Sequence, residues 1–455
     1  MIKRLFWPAA ILCAFAFSGC TADSVESGFP ERRPLGSEFE AYQPMTEVSS
    51  RADAPSLAES EGVITLRQAL AFALIHNPQL KAFSWQVRAA EARQLQASLM
   101  PNPEFEVEVE EVAGSGARSG FDAAETTIFL SQLIELSGKR SKRTELASLE
   151  RRLAGWDYES KRLDVLTEVS KAFVEVLAEQ ERVGLAEDVV RLSREVLSTV
   201  SQRVEAGKDS PVEQTKGEVA LANAEIELEK ARSNLESARK RLSATWGGGS
   251  AVFEKVAGDL NSTMPIPTLD QVMRSVDRNP DMARWATEVE QRQAALKLAK
   301  ANTIQDLRFG GGMQSFNETD DNAVVFGISI PLPLFDRNQG NILEAQHKLA
   351  AGKAQREAMT ASIHTAVTQA HAELSSALRE ATALREKVLE GARSAFEAAG
   401  EGYRSGKLGF LEVLDAQRTL FEAKARYIDA LAVYHSAKAD VERLIGRRID
   451  AAGAS

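Results

Sequence analysis

A duplicated helical hairpin limits this chain to few folds. Val204-Glu-Ala-Gly-Lys-Asp-Ser-Pro-Val-Glu-Gln214 and Tyr403-Arg-Ser-Gly-Lys-Leu-Gly-Phe-Leu-Glu-Val-Leu-Asp415 each interrupt a long helical pattern. Under one constant offset Gly207 falls on Gly406, Lys208 on Lys407, Glu213 on Glu412 and Gly247 on Gly446, with no gap across the span. Glycines stop the periodicity at Gly402, Gly406 and Gly409, and Phe410, Leu411, Leu414 and Leu420 restart it. The tips are matching ends of matching hairpins.

The arms are long. Lys139 to Ala206 and Arg337 to Ser405 each read as one helix of about 68 residues, roughly 100 Å by helical rise. Val169, Val176, Val183, Val190, Leu197 and Val204 recur every seventh position, the seam of a coiled coil. Return helices are expected to Thr245 and over Phe410–Ile445. Two shorter stretches open the halves, from Thr65 and from Thr268, each broken at an Asn-Pro pair, Asn77-Pro78 and Asn279-Pro280.

Each half also carries a strand hairpin. In Glu104-Phe-Glu-Val-Glu-Val-Glu110 the odd positions Phe105, Val107 and Val109 face one side, and Glu104, Glu106, Glu108 and Glu110 the other. Thr126–Leu136 reads as its partner. In the second half Leu307–Met313 and Val324–Ile330 read as strands, with Val324, Phe326, Ile328 and Ile330 facing outward. Their length suits tilted strands crossing an outer membrane. Four strands cannot close a barrel, and lipid does not tolerate an open edge. Copies must share the membrane part, and two or three copies satisfy the count equally.

The start of the chain is an address. Met1-Ile-Lys-Arg is followed by the apolar run Leu5–Phe17, too short for a membrane helix. Phe17-Ser-Gly-Cys20 resembles a bacterial lipoprotein box, with Phe17 in place of the usual leucine. Residues 1–19 therefore read as a signal peptide and Cys20 as the lipidated first residue. Residues 20–62 read as a flexible or loosely packed tether, 63–247 as the first repeat, 248–267 as an irregular connector, 268–446 as the second repeat and 447–455 as a tail.

The net charge of −10 argues against a nucleic-acid partner. The sequence has no glycine-rich phosphate loop, CxxC pair, nucleophile elbow or HExxH, so no enzyme is expected, and no cofactor beyond the covalent lipid. His364 and His371 lie seven apart but lack a third ligand type, and they read as surface histidines rather than a metal site.

The order helix, strand, strand, helix, tip, helix, twice over, resembles the TolC family of outer-membrane efflux ducts. So does the tip Tyr403-x-x-Gly406-x-x-x-x-Leu411-Glu412-Val413-Leu414-Asp415-Ala416. Leu99-Met-Pro-Asn-Pro-Glu104 and Glu125-Thr-Thr-Ile-Phe-Leu-Ser-Gln-Leu-Ile-Glu-Leu-Ser-Gly-Lys-Arg140 are similar to its cobalt–zinc–cadmium (CzcC-like) branch. The resemblance implies a mainly helical homotrimer, a twelve-stranded β-barrel in the outer membrane continuous with a twelve-helix periplasmic tunnel. It also implies an inner-membrane, proton-driven RND pump and a periplasmic membrane-fusion adaptor docking on the tips at Gly207, Lys208, Ser210, Gly406, Lys407 and Leu408. The cargo implied is a heavy-metal cation; a duct for multidrug efflux or type I protein secretion is the alternative. Other classes are a trimeric adhesive coiled coil, which leaves the apolar strand hairpins unexplained, and a periplasmic metal-binding or enzymatic protein, which lacks the residue clusters.

Two acidic sets carry the expected transport chemistry. The strand glutamates 104, 106, 108 and 110 would line the barrel lumen, or in part stand at a strand end in plain solvent. By the resemblance, Glu412 and Asp415 match the carboxylates around the periplasmic aperture. Tyr403 matches a tyrosine bonding to the neighbouring hairpin, where Glu213 occupies the acidic position. Leu408 stands where the family has an arginine. The helix dipole favours acids in a first turn whatever the function, so Glu412 and Glu213 also read as ordinary helix starts.

Overall fold

The computed structural model describes residues 29–44, 62–249 and 251–450. The signal peptide at 1–19, Cys20 and residues 451–455 lie outside the described residues. Strand β1 (Gly62–Thr65) leads into α1 (Leu66–His76) and α2 (Pro78–Ser98). Then come β2 (Glu104–Glu110), β3 (Glu125–Ile134), the long α3 (Lys139–Glu205) and the return helix α4 (Pro211–Ala244). After β4 (Phe253–Ala257) the order repeats with α5 (Leu269–Met273), α6 (Pro280–Ala301), β5 (Leu307–Phe316) and β6 (Asp321–Ser329). It ends with α7 (Gln339–Ala383), a π-helical turn (Leu384–Val388), α8 (Leu389–Arg404) and α9 (Phe410–Ile445).

The helices lie side by side as a ribbon. Toward the strands the neighbours run α2, α3, α6, α7, and toward the tips α4, α3, α9, α8. One long helix per repeat thus spans the height that two shorter ones cover end to end. The heptad seam of α3 divides its work: Val169 and Val176 enter the central core, Val183 and Val190 pack with Ala224 and Leu228 of α4, and Val204 joins the tip cluster.

The repeated motifs have repeated jobs. Thr65 and Thr268 form capping boxes with Gln68 and Gln271. Asn77 accepts from Leu80 N at 2.8 Å and donates to Thr245 O at 2.7 Å. Asn279 accepts from Asp281 N at 2.7 Å and donates to Leu444 O at 2.9 Å. Each asparagine caps the helix starting at its proline and ties it to the end of its own return helix. Across the repeats Arg443 bridges Asp164 at 2.8 Å and Asp281 at 2.7 Å.

Three features depart from the sequence reading. First, residues 29–44 are seated, not loose. Arg162 is fully buried, paired with buried Glu159 at 2.8 Å, and donates to the carbonyls of Arg33, Leu35 and Gly36. Arg33 N donates to Glu159 at 2.7 Å and Leu35 N to Gly446 O at 3.0 Å. The segment is polar in composition, and its carbonyls complete the hydrogen bonding of a buried guanidinium whose charge Glu159 balances. Second, the connector is not wholly irregular: β4 pairs in parallel with β1, burying Ile64, Phe253 and Val256. Its remainder is pinned to the second repeat by His371 Nε2 on Pro267 O at 2.9 Å, His435 Nε2 on Leu260 O at 2.8 Å and Tyr434 Oη, which accepts from Met264 N at 3.0 Å. Burial holds the His435 imidazole below its ordinary value, against the pull of the Leu260 bond. Third, the second long helix is interrupted by the π-helical turn, where Leu384-Arg-Glu-Lys-Val388 reads as ordinary helix.

Candidate gate and membrane barrel

The four strands form one antiparallel sheet in the order β2-β3-β5-β6. Register fixes the faces. Phe105 lies opposite Leu130, Val107 opposite Ile128, Ile128 opposite Met313, Phe309 opposite Ile328 and Met313 opposite Val324. These apolar side chains share one face, and in the single chain they are exposed, up to 68 % at Phe105 and 77 % at Phe326. A continuous apolar sheet face of this kind suits lipid. The outer edges are β2 and β6, neither paired on its far side among the described residues.

The opposite face carries Glu104, Glu106, Glu108 and Glu110, all exposed. Sequence reasoning missed further members of this face: register adds Glu125, opposite Glu110, and Asp321, opposite Phe316, as well as Arg308 and Phe129. Arg308 pairs with Glu104 and donates to Ser131 Oγ at 3.3 Å, so the acidic wall holds a fixed cation at its helix-proximal end. Phe129 lies across Gly310 and Gly327; a Cβ on Gly327 would stand 2.9 Å from its ring. The glycines in β5 and β6 let this ring lie along the wall.

At the other end both tips are closed by the same helix C-cap. Lys208 N donates to Arg203 O and Gly207 N to Val204 O; Lys407 N donates to Gly402 O and Gly406 N to Tyr403 O. These are paired Schellman bonds. They require left-handed backbone at Gly207 (φ +67) and Gly406 (φ +71). Ser210 then caps α4, accepting from Val212 N at 3.3 Å. Gly409 starts α9 without a side-chain cap.

The tips are joined by a polar triad. Tyr403 Oη donates to Asp209 Oδ2 at 2.6 Å. Arg203 grips the same carboxylate, Nε to Oδ2 at 2.7 Å and Nη2 to Oδ1 at 3.1 Å, and its guanidinium lies 4.7 Å from the Tyr403 ring centre. The Arg203 and Tyr403 bonds hold the Asp209 carboxyl below its ordinary value. Burial first, then Asp209, pushes the Tyr403 phenol up to about 12. Val200, Ala399, Phe410 and Val413 pack around the tyrosine.

The acidic partner of Tyr403 in this structure is therefore Asp209, not Glu213. Asp209 sits in the loop facing the second tip; Glu213 lies a turn into α4 and pairs with Lys216 at 3.3 Å. The repeat offset explains the asymmetry: Arg203 and Asp209 correspond to Gly402 and Leu408. Where the first tip has an ion pair, the second has a leucine folded onto a glycine, close enough that a Cβ on Gly402 would stand 2.6 Å from Leu408 Cδ1. Glu412 and Asp415 are exposed on one face of the α9 start, with Asp415 3.5 Å from Arg418. Lys208 and Lys407 are exposed on the loops.

Among the described residues no three His, Cys, Asp or Glu side chains group at metal-holding distance, and no helix is long and apolar enough to cross a membrane.

The outer membrane efflux protein family model matches residues 69–248 and 273–447. The chain belongs to that family. It is 36 % identical over 391 residues to the cobalt-zinc-cadmium resistance protein CzcC of Cupriavidus metallidurans, covering 86 % of this chain and 91 % of that one. To the nickel-cobalt-cadmium resistance protein NccC of Alcaligenes xylosoxydans it is 26 % identical over 291 residues, 64 % of this chain and 65 % of that one. Its fold superposes on a solved membrane protein from Pseudomonas aeruginosa with a TM-score of 0.74 at 20 % identity, over 90 % of this chain and 97 % of the other. The family-model match falls in two segments, one on each hairpin.

Proposed function

We infer that this efflux-family chain is the outer-membrane duct of a tripartite, proton-driven system that exports heavy-metal cations such as cobalt, zinc or cadmium. The carrying observation is the open four-stranded sheet, apolar on one face and carboxylate-lined on the other, continuous with a helical ribbon roughly 100 Å long. Three copies closing edge to edge give a twelve-stranded barrel without exposed edges. Cys20 carries a lipid that helps sorting, while the barrel provides the membrane hold. The likeness to the cobalt-zinc-cadmium resistance protein supports the choice of cargo. A periplasmic adaptor docks on the tips and an inner-membrane pump supplies the energy; the duct itself is passive, since tight binding of cargo would slow passage.

In this reading the aperture is held shut by the Arg203–Asp209–Tyr403 triad, while Glu412 and Asp415 of three copies ring the opening. Crowded carboxylates repel, so a bound cation stabilises the closed ring. Glu412→Gln with Asp415→Asn is expected to weaken block of the open channel by divalent cations added from the periplasmic side. Unchanged block would leave these residues as helix-start acids.

Deleting the gene tests the function. Sensitivity to cobalt, zinc or cadmium with unaltered drug tolerance supports the metal reading; the opposite pattern supports multidrug efflux.

A further inference from the structure

Above the tips, α3, α4 and α9 enclose an apolar groove of about 810 Å³. Leu185 and Val189 of α3, Ala224 of α4 and Leu414 and Phe421 of α9 line it. A volume of this order holds an elongated small molecule.

Each end of the groove holds a buried polar side chain with one oxygen left over. Glu179 is 5 % exposed; its Oε1 accepts from Arg182 Nη1 at 2.6 Å, and its Oε2 has no hydrogen-bond partner among the described residues. Gln417 is 6 % exposed; its Nε2 donates to Ser193 Oγ at 3.3 Å, and its Oε1 likewise has none. Both residues line the groove. Buried oxygens are rarely left unmet in a folded protein. Glu179 and Ser193, which Gln417 touches, stand fourteen positions apart on α3, roughly 21 Å by helical rise.

The Glu179 end suits a cation. There Glu175, Glu179 and Asp429 surround Arg182, and Arg241 reaches Glu175 at 3.7 Å, three carboxylates against two guanidiniums. Burial raises the Glu179 carboxyl above its ordinary value, Arg182 opposing the rise and Glu175 adding to it. Negative charge in excess and poorly solvated behaves in this way. The Gln417 carbonyl accepts an N–H donor at the other end, and the stretch between them is apolar. A ligand that meets all three conditions carries an N–H donor at each end of an apolar body, with positive charge at the Glu179 end.

We propose that this groove binds an elongated amphiphilic diamine, one ammonium on Glu179 Oε2 and the other on Gln417 Oε1, with its apolar body along Leu185, Val189 and Phe421. Arg418 and Glu422 form part of the groove's rim, and Arg418 lies 3.5 Å from both Glu422 and Asp415. The groove therefore opens beside the face of α9 that carries Asp415. In the duct reading, on which this last step alone rests, that face looks into the passage above the aperture. A bound diamine then narrows a channel whose proposed cargo is inorganic.

Dodecane-1,12-diamine is the probe. Extended, its nitrogens stand about 16 Å apart, and a hydrogen bond of about 2.9 Å at each end brings the span to roughly 22 Å. Calorimetric titration of the full-length protein in phosphatidylcholine nanodiscs, against protein-free discs, is expected to show saturable binding. Glu179→Gln and Gln417→Leu should each weaken it at least tenfold. Hexane-1,6-diamine, too short to bridge the ends, and dodecane-1,12-dioate, of like length and opposite charge, should also bind at least tenfold more weakly. Should the polar variants fail to assemble, Ala186→Phe fills the middle of the groove and is expected to abolish binding. Absence of saturable binding by the long diamine, equal binding of either control compound, or unchanged affinity in the variants overturns the site. In bilayer recordings the long diamine is expected to lower conductance; binding without that effect overturns the placement on the passage. Metal sensitivity on gene deletion is read separately, so failure of the groove leaves the duct reading standing.

Discussion

Tyr403 Oη reaches Asp209 Oδ2 at 2.6 Å, tying the second tip to the first within one chain. A hydrogen bond to a charged acceptor contributes about 1.5 kcal/mol or more. Tyr403→Phe is therefore expected to raise the open-to-closed ratio of the reconstituted channel roughly tenfold, a factor that corresponds to about 1.4 kcal/mol. Asp209→Ala, which strips the partner from Arg203 as well, should have the larger effect. Single-channel dwell times are the readout; equal dwell times in all three proteins would remove the triad from gating.

The tip glycines give a prediction about backbone alone. A Cβ on Gly207 or Gly406 meets nothing within 4 Å, so alanine at either costs only the left-handed conformation, about 1 kcal/mol. Gly402→Ala instead collides with Leu408. Thermal melts should rank Gly402→Ala below the other two, with trimers retained in the Gly207 and Gly406 variants.

Removing the buried cation under the N-terminal segment should be far more damaging. Arg162→Met leaves Glu159 charged and buried and three backbone carbonyls without their donor. Losses of this kind run to about 3–5 kcal/mol. Limited proteolysis should cut within residues 29–44 of the variant and spare the parent protein.

Cation preference should follow the strand glutamates. Glu106→Gln with Glu108→Gln leaves the Arg308–Glu104 pair intact and removes two of the six carboxylates that register places on that face, the others being Glu104, Glu110, Glu125 and Asp321. The reversal potential under a salt gradient is expected to shift toward anions. An unchanged potential would place these residues away from the ion path.

His435 predicts an acid-side loss of stability. Burial lowers its proton affinity in the fold, so the unfolded chain takes up a proton where the folded one does not. The sidechain costs nothing well above 6.5, and stability declines as pH falls through that ordinary value. Lys438 acts in the same direction and Asp259 against it. His435→Gln should flatten the melting temperature between pH 7.5 and 5.5; an unaltered slope would assign the effect elsewhere.

Period and punctuation made much of this readable in the chain. The constant offset between tips, the Asn-Pro pairs and the Glu-x-Glu alternation each report a local rule, and helices and strands obeyed them to within a few residues. What stayed hidden depends on distant contacts. Nothing local marks Phe253–Ala257 as a strand, because its partner lies almost two hundred positions away at Gly62–Thr65. Residues 29–44 look loose because their order comes from Arg162. The partner of Tyr403 was misplaced because a loop aspartate and a helical glutamate stand four apart, and only the packing decides which one faces the phenol. Arg203 and Asp209, six apart around a glycine turn, were a visible signal that went unused.

The unpaired edges of β2 and β6 have a consequence for biogenesis. A solitary chain presents bare backbone donors and acceptors at both sides of an apolar sheet, which suits neither water nor lipid. Its membrane part can reach a low-energy state only through a sibling, so yield should depend on synthesis rate more steeply than linearly, and stability should not be separable from abundance. A defective copy would then do harm beyond its own loss: by lending one sound edge and one faulty one, it would draw sound copies into rings that cannot close.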